Sequence, residues 1–282
     1  MPGILSLRRR FGPYVIVGPF AIVLAFPIYW MAWTAFKGNQ DLFYHPENVP
    51  YSYSDDSPTF SHVSFLFEHT KYLTWIGNTA LVGAVVVVIT LVLSLPAGYA
   101  LARLSGRFGQ SLGVAIFLTY LVPPTLLFLP MSRVITKLGL RDSLASLILV
   151  YPSFTVPFST WLLMGFFKTI PQELEDAALV DGCSRLKSLT RVVFPISLPG
   201  ILTVVVFSFS LCVNEFIYAF TFISSSAHRT VSAGVPNDLI RGDVYFWPEL
   251  MAATLIPSIP IALLYNTFLN RFIAGFTGGA FR

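Results

Sequence analysis

Charge is scarce in this chain. Lys, Arg, Asp and Glu make up only 11% of its 282 residues, where a soluble domain carries about 25%. Hydrophobic residues reach 55% and the mean hydropathy is +0.70. That balance excludes a soluble globular domain and points to a polytopic membrane protein. No basic patch interleaved with aromatics is present, so nucleic acid is excluded as a partner. Cysteine is nearly missing. Cys183 falls in a loop and Cys212 inside an apolar run, which excludes a disulfide framework. The four histidines, His45, His62, His69 and His228, lack ligand spacing such as HExxH and read as loop residues, with metal none. A phosphate-cradling GxxxxGK[ST] loop is absent, as are internal repeats and low-complexity tracts.

Long apolar runs are what the chain has. A hydrocarbon core of about 30 Å takes about 20 apolar residues per helix. Six segments qualify, at 13–36, 76–102, 110–132, 145–167, 197–222 and 248–273. The fold class expected is therefore all-α integral membrane, with six transmembrane helices. The first run follows a basic start like that of a signal peptide. It is too long for one, and no small-x-small cleavage site follows, so it reads as an uncleaved span. Interior prolines in the third, fourth and sixth runs imply kinks, since neighbouring helices re-satisfy the freed backbone.

Six spans put both termini on one side. Eleven Lys and Arg fall on that side and seven on the other, which makes the termini cytoplasmic. Trp30, Trp33, Tyr72, Trp75 and Trp247 fall at outer boundaries, as an aromatic belt. Two outer loops are long, about 38–75 and 223–247, and the first reads as short surface helices. The localisation expected is a multi-pass protein of the cell inner (cytoplasmic) membrane.

One stretch breaks the apolar pattern: "LEDAALVDGCSRLKSLTRVVFPISLPGI", residues 174–201, between the fourth and fifth runs. Pro171 suits a first helical position. Glu173, Glu175 and Asp176 place negative charge in the first turn, where the helix dipole favours it. Gly182 suits the position past a C-cap. A short helix over 171–181, a basic helix over 184–193, and Pro195 and Pro199 leading into the fifth span are expected. Helix physics alone leaves open the reading of a linker with a surface amphipathic helix.

Glu215 lies inside the fifth apolar run. A carboxylate there marks a functional site by default, with an interhelical hydrogen bond as the alternative. Asn214 and Tyr218, one turn apart, are expected on one helix face, with Asn78 near the outer end of span two as a further pathway residue.

The order of residues in the charged stretch resembles the EAA loop of ABC importer permeases, patterned on Glu-Ala-Ala, Gly, Ile and Pro. Here Asp176-Ala177-Ala178 is followed by Gly182, Val192 and Pro195, with Asp in place of Glu and Val in place of Ile. Glu175, Asp181 and Cys183 also fit the longer form found in sugar importers. "SLPAGYALAR" (94–103), "LGLRDSLASLIL" (138–149), "VNEFIYAF" (213–220), "GNTALVG" (77–83) and "GFTGGAFR" (275–282) are similar to further elements of carbohydrate importer permeases, with Val213 where the family has Trp. The resemblance is to the second permease subunit of maltose-type carbohydrate-uptake ABC transporters, trehalose importers included.

That resemblance implies a type I ABC importer permease fold with a cytoplasmic coupling helix. The organisation it implies is a cytoplasmic N-terminus over 1–12, a six-helix permease domain over 13–273 with its coupling loop at 168–196, and a tail over 274–282. Glu175, Asp176, Ala177, Ala178, Asp181 and Gly182 would couple to an ATPase subunit, and Asn214, Glu215, Tyr218 and Asn78 would line the substrate pathway. The chain itself would be no enzyme and would bind no cofactor, with ATP and Mg on the partner ATPase subunits. Its partners would be a second homologous permease, two ATPase subunits, an extracytoplasmic solute-binding protein, membrane lipid and a di- or oligosaccharide such as trehalose or maltose. Transport would proceed by alternating access. The rivals are an ion-coupled secondary transporter, which calls for an inverted repeat and matching broken helices, and an intramembrane enzyme. The second would need a catalytic constellation, and Glu215 stands in its span without His or a second carboxylate.

Overall fold

The computed structural model describes residues 2–43, 58–104 and 106–277. Its helices are α1 (Pro2–Ala35), α2 (Asn39–Phe43), α3 (Ser61–His69), α4 (Tyr72–Tyr99), α5 (Gly106–Tyr120), α6 (Pro124–Lys137), α7 (Leu144–Val150), α8 (Pro152–Thr169), α9 (Glu173–Val180), α10 (Arg185–Ser188), α11 (Phe194–Ile196), α12 (Leu198–Asn214), α13 (Ile217–Phe222), α14 (Val231–Leu239) and α15 (Trp247–Thr277). Two π-helical turns, Ala100–Leu104 and Leu189–Val193, follow α4 and α10. The expected all-helical character has one exception among the described residues. Ile240–Arg241 (β1) pairs antiparallel with Val244–Tyr245 (β2), and Gly242 in the connecting turn has φ +61°.

Among the described residues, four helical stretches are long and apolar enough to cross a membrane: Val17–Ala35, Tyr72–Leu104, Leu144–Thr169 and Trp247–Thr267. Two further pairs qualify only if each counts as one bent span, Phe108–Tyr120 with Pro124–Lys137 at 84°, and Arg185–Ile196 with Leu198–Asn214 at 76°. The third expected span is thus a broken helix, not a kinked one. Two adjacent prolines explain it. Pro124 drives Pro123 out of the helical region, to φ −56° and ψ 130°, and neither ring supplies an N–H. The fifth expected span breaks as well, because Glu215 is extended at ψ 124° between α12 and α13.

The chain divides into two compact units. One comprises residues 1–70 and 235–259, the other residues 71–234 and 260–282. In the first, the α1 span shows its side chains almost entirely outward, with Phe20, Ile22, Val23 and Leu24 all exposed. α2 and α3 are short helices within the expected first outer loop; residues 44–57 of that loop lie outside the described residues. His62, placed in a loop by the sequence, is buried on α3. Its Nδ1 lies 2.8 Å from Glu249 Oε1 and its Nε2 lies 3.0 Å from the Lys37 carbonyl. Both ring nitrogens are thus within hydrogen-bond distance of an oxygen.

The second unit is built on α4, which packs against α8 and α12. Close approach of α4 and α8 depends on Gly98: a Cβ there would lie 3.0 Å from Leu163 Cβ and 3.1 Å from the Met164 nitrogen. Thr90 and Thr155 share a buried hydroxyl–hydroxyl bond of 2.6 Å across the same contact. One core gathers Val82, Val86, Leu147, Tyr151, Phe154, Tyr218 and Phe222, and a second gathers Tyr99, Leu163, Phe167, Leu189, Val193 and Val204.

Tyr72 and Trp75, expected in the aromatic belt, are instead fully buried. Trp75 donates Nε1–H to the Ser226 carbonyl at 2.8 Å, and its ring fills the space beside Gly234. It belongs to a set of contacts that hold the 223–230 loop. Asp142, in the left-handed region at φ 57°, accepts from the Ser224 and Ser225 nitrogens and the Ser225 hydroxyl at 2.8–3.0 Å. Those backbone donors of Ser225 and Ser224 hold its carboxyl below the usual carboxylate range, with His228 nearby adding to the effect.

Candidate functional site

The two helix breaks face one another. α5 ends at Tyr120 and α6 begins at Pro124; α12 ends at Asn214 and α13 begins at Ile217. Between them lies a cavity of about 650 Å3, lined by Tyr120, Leu121, Pro123, Pro124, Thr125, Phe154, Leu211, Asn214, Glu215, Phe216 and Ile217. That size lies in the range of small-molecule sites, and its lining is mostly apolar with a few polar groups.

Glu215 is half-buried at the cavity wall, and its carboxylate already has three donors from its own chain. Oε2 accepts from the Tyr151 hydroxyl at 2.8 Å and the Ala219 nitrogen at 3.1 Å, and Oε1 accepts from the Tyr218 nitrogen at 3.0 Å. It therefore caps the first turn of α13, where unpaired N–H groups and the helix dipole both favour an anion. Ser232 donates to the Glu215 carbonyl at 2.6 Å, closing the other side of the break. The two readings of Glu215, path and bundle hydrogen bond, meet in one residue.

Asn214 is exposed at the cavity and donates Nδ2–H to the Ser210 carbonyl at 2.8 Å, which leaves its amide oxygen as the acceptor at the wall. Tyr218 does not share its helix face, because the extended backbone at Glu215 interrupts the helix between them. Tyr218 is fully buried and donates to the Pro124 carbonyl at 2.6 Å, so it ties the two breaks together and does not line the cavity. Asn78 also stands apart. Its Nδ2 donates to the Ala227 and Arg229 carbonyls, which makes it another anchor of the 223–230 loop. Of the expected pathway set, neither Tyr218 nor Asn78 therefore borders this cavity. Tyr120 and Thr125 join Asn214 and Glu215 at the cavity without having been singled out; the Pro123–Pro124 doublet was the signal that a second break would bring them there.

The charged stretch forms a short helix ending in a Schellman turn. Cys183 N–H reaches the Ala178 carbonyl at 2.9 Å and Gly182 N–H the Leu179 carbonyl at 3.0 Å, with Gly182 at φ +85°. The helix begins at Glu173, two residues later than expected, and Pro171 precedes it. Asp176, Ala177, Asp181 and Gly182 are exposed, as are Leu174, Leu179 and, most of all, Val180 at 87%. Ala178 and Glu175 face the other way and are buried. Glu175 Oε1 accepts from Arg103 Nε at 2.7 Å and Oε2 from the Tyr99 hydroxyl at 2.7 Å. Within the expected docking set, Glu175 thus points into its own chain. Tyr99 and Arg103 lie in "SLPAGYALAR", where the sequence alone assigns them no role.

Known proteins resemble this chain over nearly its whole length. The diacetylchitobiose uptake system permease protein DasC of Streptomyces coelicolor is 30% identical over 276 residues, covering 98% of each chain. The trehalose/maltose transport system permease protein MalG of Thermococcus litoralis is 28% identical over 264 residues, covering 93% of each. Among solved structures, a chain of a bacterial ABC transporter involved in import of the acidic polysaccharide alginate superposes with a TM-score of 0.77 at 20% identity, covering 94% of this chain and 97% of that one. Residues 94–277 match the family described as binding-protein-dependent transport system inner membrane component. The chain belongs to that family: it is a multi-pass membrane permease subunit of a binding-protein-dependent ABC transport system.

Proposed function

We propose that this permease imports a di- or oligosaccharide, with the cavity between the two helix breaks as part of its path. The observation that carries the reading is the wall formed by Asn214, Glu215 and Tyr120. An amide and a carboxylate suit sugar hydroxyls, and an aromatic face suits a pyranose ring. Broken helices around a substrate cavity are a recurring transporter device, and relatives named for diacetylchitobiose and for trehalose/maltose support the substrate class. Among these sugars, trehalose and maltose remain our proposal for the cargo.

The exposed side of α9 is the docking face for a cytoplasmic ATPase subunit. Val180, Leu174 and Leu179 are exposed apolar side chains in a segment too charged to lie in lipid, and the outward Val180 suits a partner site. On this reading 168–196 and both termini are cytoplasmic, in line with the Lys and Arg asymmetry. A second permease and two ATPase subunits holding ATP and Mg complete the complex.

Uptake of labelled disaccharides by a strain lacking this chain, with and without the restored gene, tests the reading. Restored uptake of one glucose disaccharide supports it. Unchanged uptake of every sugar in the panel contradicts it.

A further inference from the structure

We infer that Glu175, Arg103 and Tyr99 form a latch that fixes the docking helix α9 to the end of α4, so that Glu175 is a positioning residue and not a contact to the ATPase. The inference rests on the proposed docking role of α9.

Glu175 is only 6% exposed although it sits in the most charged stretch of the chain. A buried carboxylate is tolerated only with partners, and here each oxygen has one. Oε1 accepts from Arg103 Nε and Oε2 from the Tyr99 hydroxyl, both at 2.7 Å. Arg103 also donates Nη2–H to the Ile170 carbonyl at 2.6 Å, where α8 ends. That carbonyl is one of the orphaned acceptors of a helix C-terminus, where a cation is favoured. One guanidinium therefore joins the end of α4, the end of α8 and α9.

The position of the latch gives it a function. The residues that face outward, Asp176, Ala177 and Val180, are on the side of α9 away from the buried Glu175 and Ala178. α4 packs on α8 and α12, and those two helices supply Phe154, Leu211 and Asn214 to the cavity. A push on the outer face of α9 then reaches the cavity helices through side-chain bonds, and not only through the Pro171–Gln172 link. Beside the latch is a polar pocket of about 120 Å3, lined by Arg185, Asp176 and Ser188, whose buried hydroxyl has no partner. The latch thus has space to shift when α9 moves.

The test uses the assembled complex in vesicles, with Glu175→Gln, Arg103→Gln, Tyr99→Phe, the exchanged pair Glu175→Arg with Arg103→Glu, and Ala177→Arg on the exposed face. Readouts are co-purification of the ATPase subunit, stimulation of ATP hydrolysis by loaded binding protein, and sugar uptake per complex. The latch predicts that Glu175→Gln and Arg103→Gln retain the ATPase subunit yet lose stimulation and uptake by about tenfold, the scale of a typical coupling free energy. The exchanged pair should recover part of both. Should Glu175→Gln fail to assemble, Tyr99→Phe, which deletes one hydroxyl, carries the same test with a smaller loss.

Normal stimulation and uptake per complex in the latch variants would overturn the inference, leaving a bond that only holds the fold. Loss of the ATPase subunit in Glu175→Gln but not in Arg103→Gln would overturn it too, making Glu175 a direct contact. If Ala177→Arg keeps both the ATPase subunit and uptake, the docking reading of α9 fails, an outcome distinct from failure of the latch.

Discussion

Glu215→Ala is the most informative single substitution at the cavity. It removes both carboxylate oxygens and strands three donors: the Tyr151 hydroxyl, the Tyr218 nitrogen and the Ala219 nitrogen. Tyr151, Tyr218 and Ala219 are fully buried. A buried donor left without an acceptor costs roughly 1–3 kcal/mol. Because the site borders the cavity, water replaces part of what is lost, and the low end applies: about 3 kcal/mol for three donors. That is a large fraction of the net stability of a typical domain. Glu215→Gln keeps one acceptor oxygen and should lose about half as much. Thermal unfolding of the purified complex should therefore rank wild type above Glu215→Gln above Glu215→Ala, and transport per surviving complex should fall in both variants. A Glu215→Ala complex that melts with the wild type would refute the capping argument. Normal transport per complex in both variants would remove Glu215 from the path and leave it a structural role.

Three further outcomes follow from the geometry. Gly182→Val forces a β-branched residue to φ +85°, at roughly 1–2 kcal/mol, and should loosen the end of α9, which proteolysis of the 168–196 loop would detect as faster cleavage. Asp142→Asn should weaken the anchoring of the 223–230 loop, read as faster amide exchange at Ser224 and Ser225. Because the Asp142 carboxyl is held below its ordinary range, its contribution is complete above that range and is lost only as pH falls through the lowered value. Exchange at those amides in the wild type should therefore show no loss of protection between about pH 8 and about pH 5. For orientation, cysteines at Val180 and Val244, both well exposed, should react oppositely with an impermeant thiol reagent once Cys183 and Cys212 are replaced; labelling of both from outside would sink the cytoplasmic placement of α9.

The apolar helices were legible because apolar length is a signal that survives without tertiary context, although among the described residues only four of the six expected runs are single helices long enough to span. So was the turn after α9, since a glycine following a short acidic helix has a local cause that the chain itself contains. The breaks were harder. Pro123–Pro124 announces one of them, but proline in a membrane helix is compatible with a kink or a break; here the doublet breaks the helix, and Tyr218 reaches the Pro124 carbonyl at that break from 94 residues away. The break at Glu215 has no proline. It exists because the carboxylate finds Tyr151 and caps α13, and a side chain that ends one helix and starts the next leaves no periodic trace. Matching broken helices were a mark of the ion-coupled rival, yet breaks occur here in a chain of the binding-protein-dependent family, so that feature does not separate the two. Asn78 and Tyr218 have partners within the chain: a polar atom in an apolar run shows that a partner is needed, not that the partner is a substrate. Tyr72 and Trp75 are alike in this, since a boundary tryptophan can serve lipid or, as here, a loop carbonyl.

The central claim is ATP-driven import of a sugar through this chain. Its direct test is accumulation of a labelled glucose disaccharide in vesicles containing this permease, its partner permease and two ATPase subunits, supplied with loaded binding protein on one side and ATP on the other. The account predicts accumulation that needs both ATP and binding protein and is lost with Ala177→Arg. Accumulation driven by an ion gradient without ATP, or uptake indifferent to the binding protein, would contradict it.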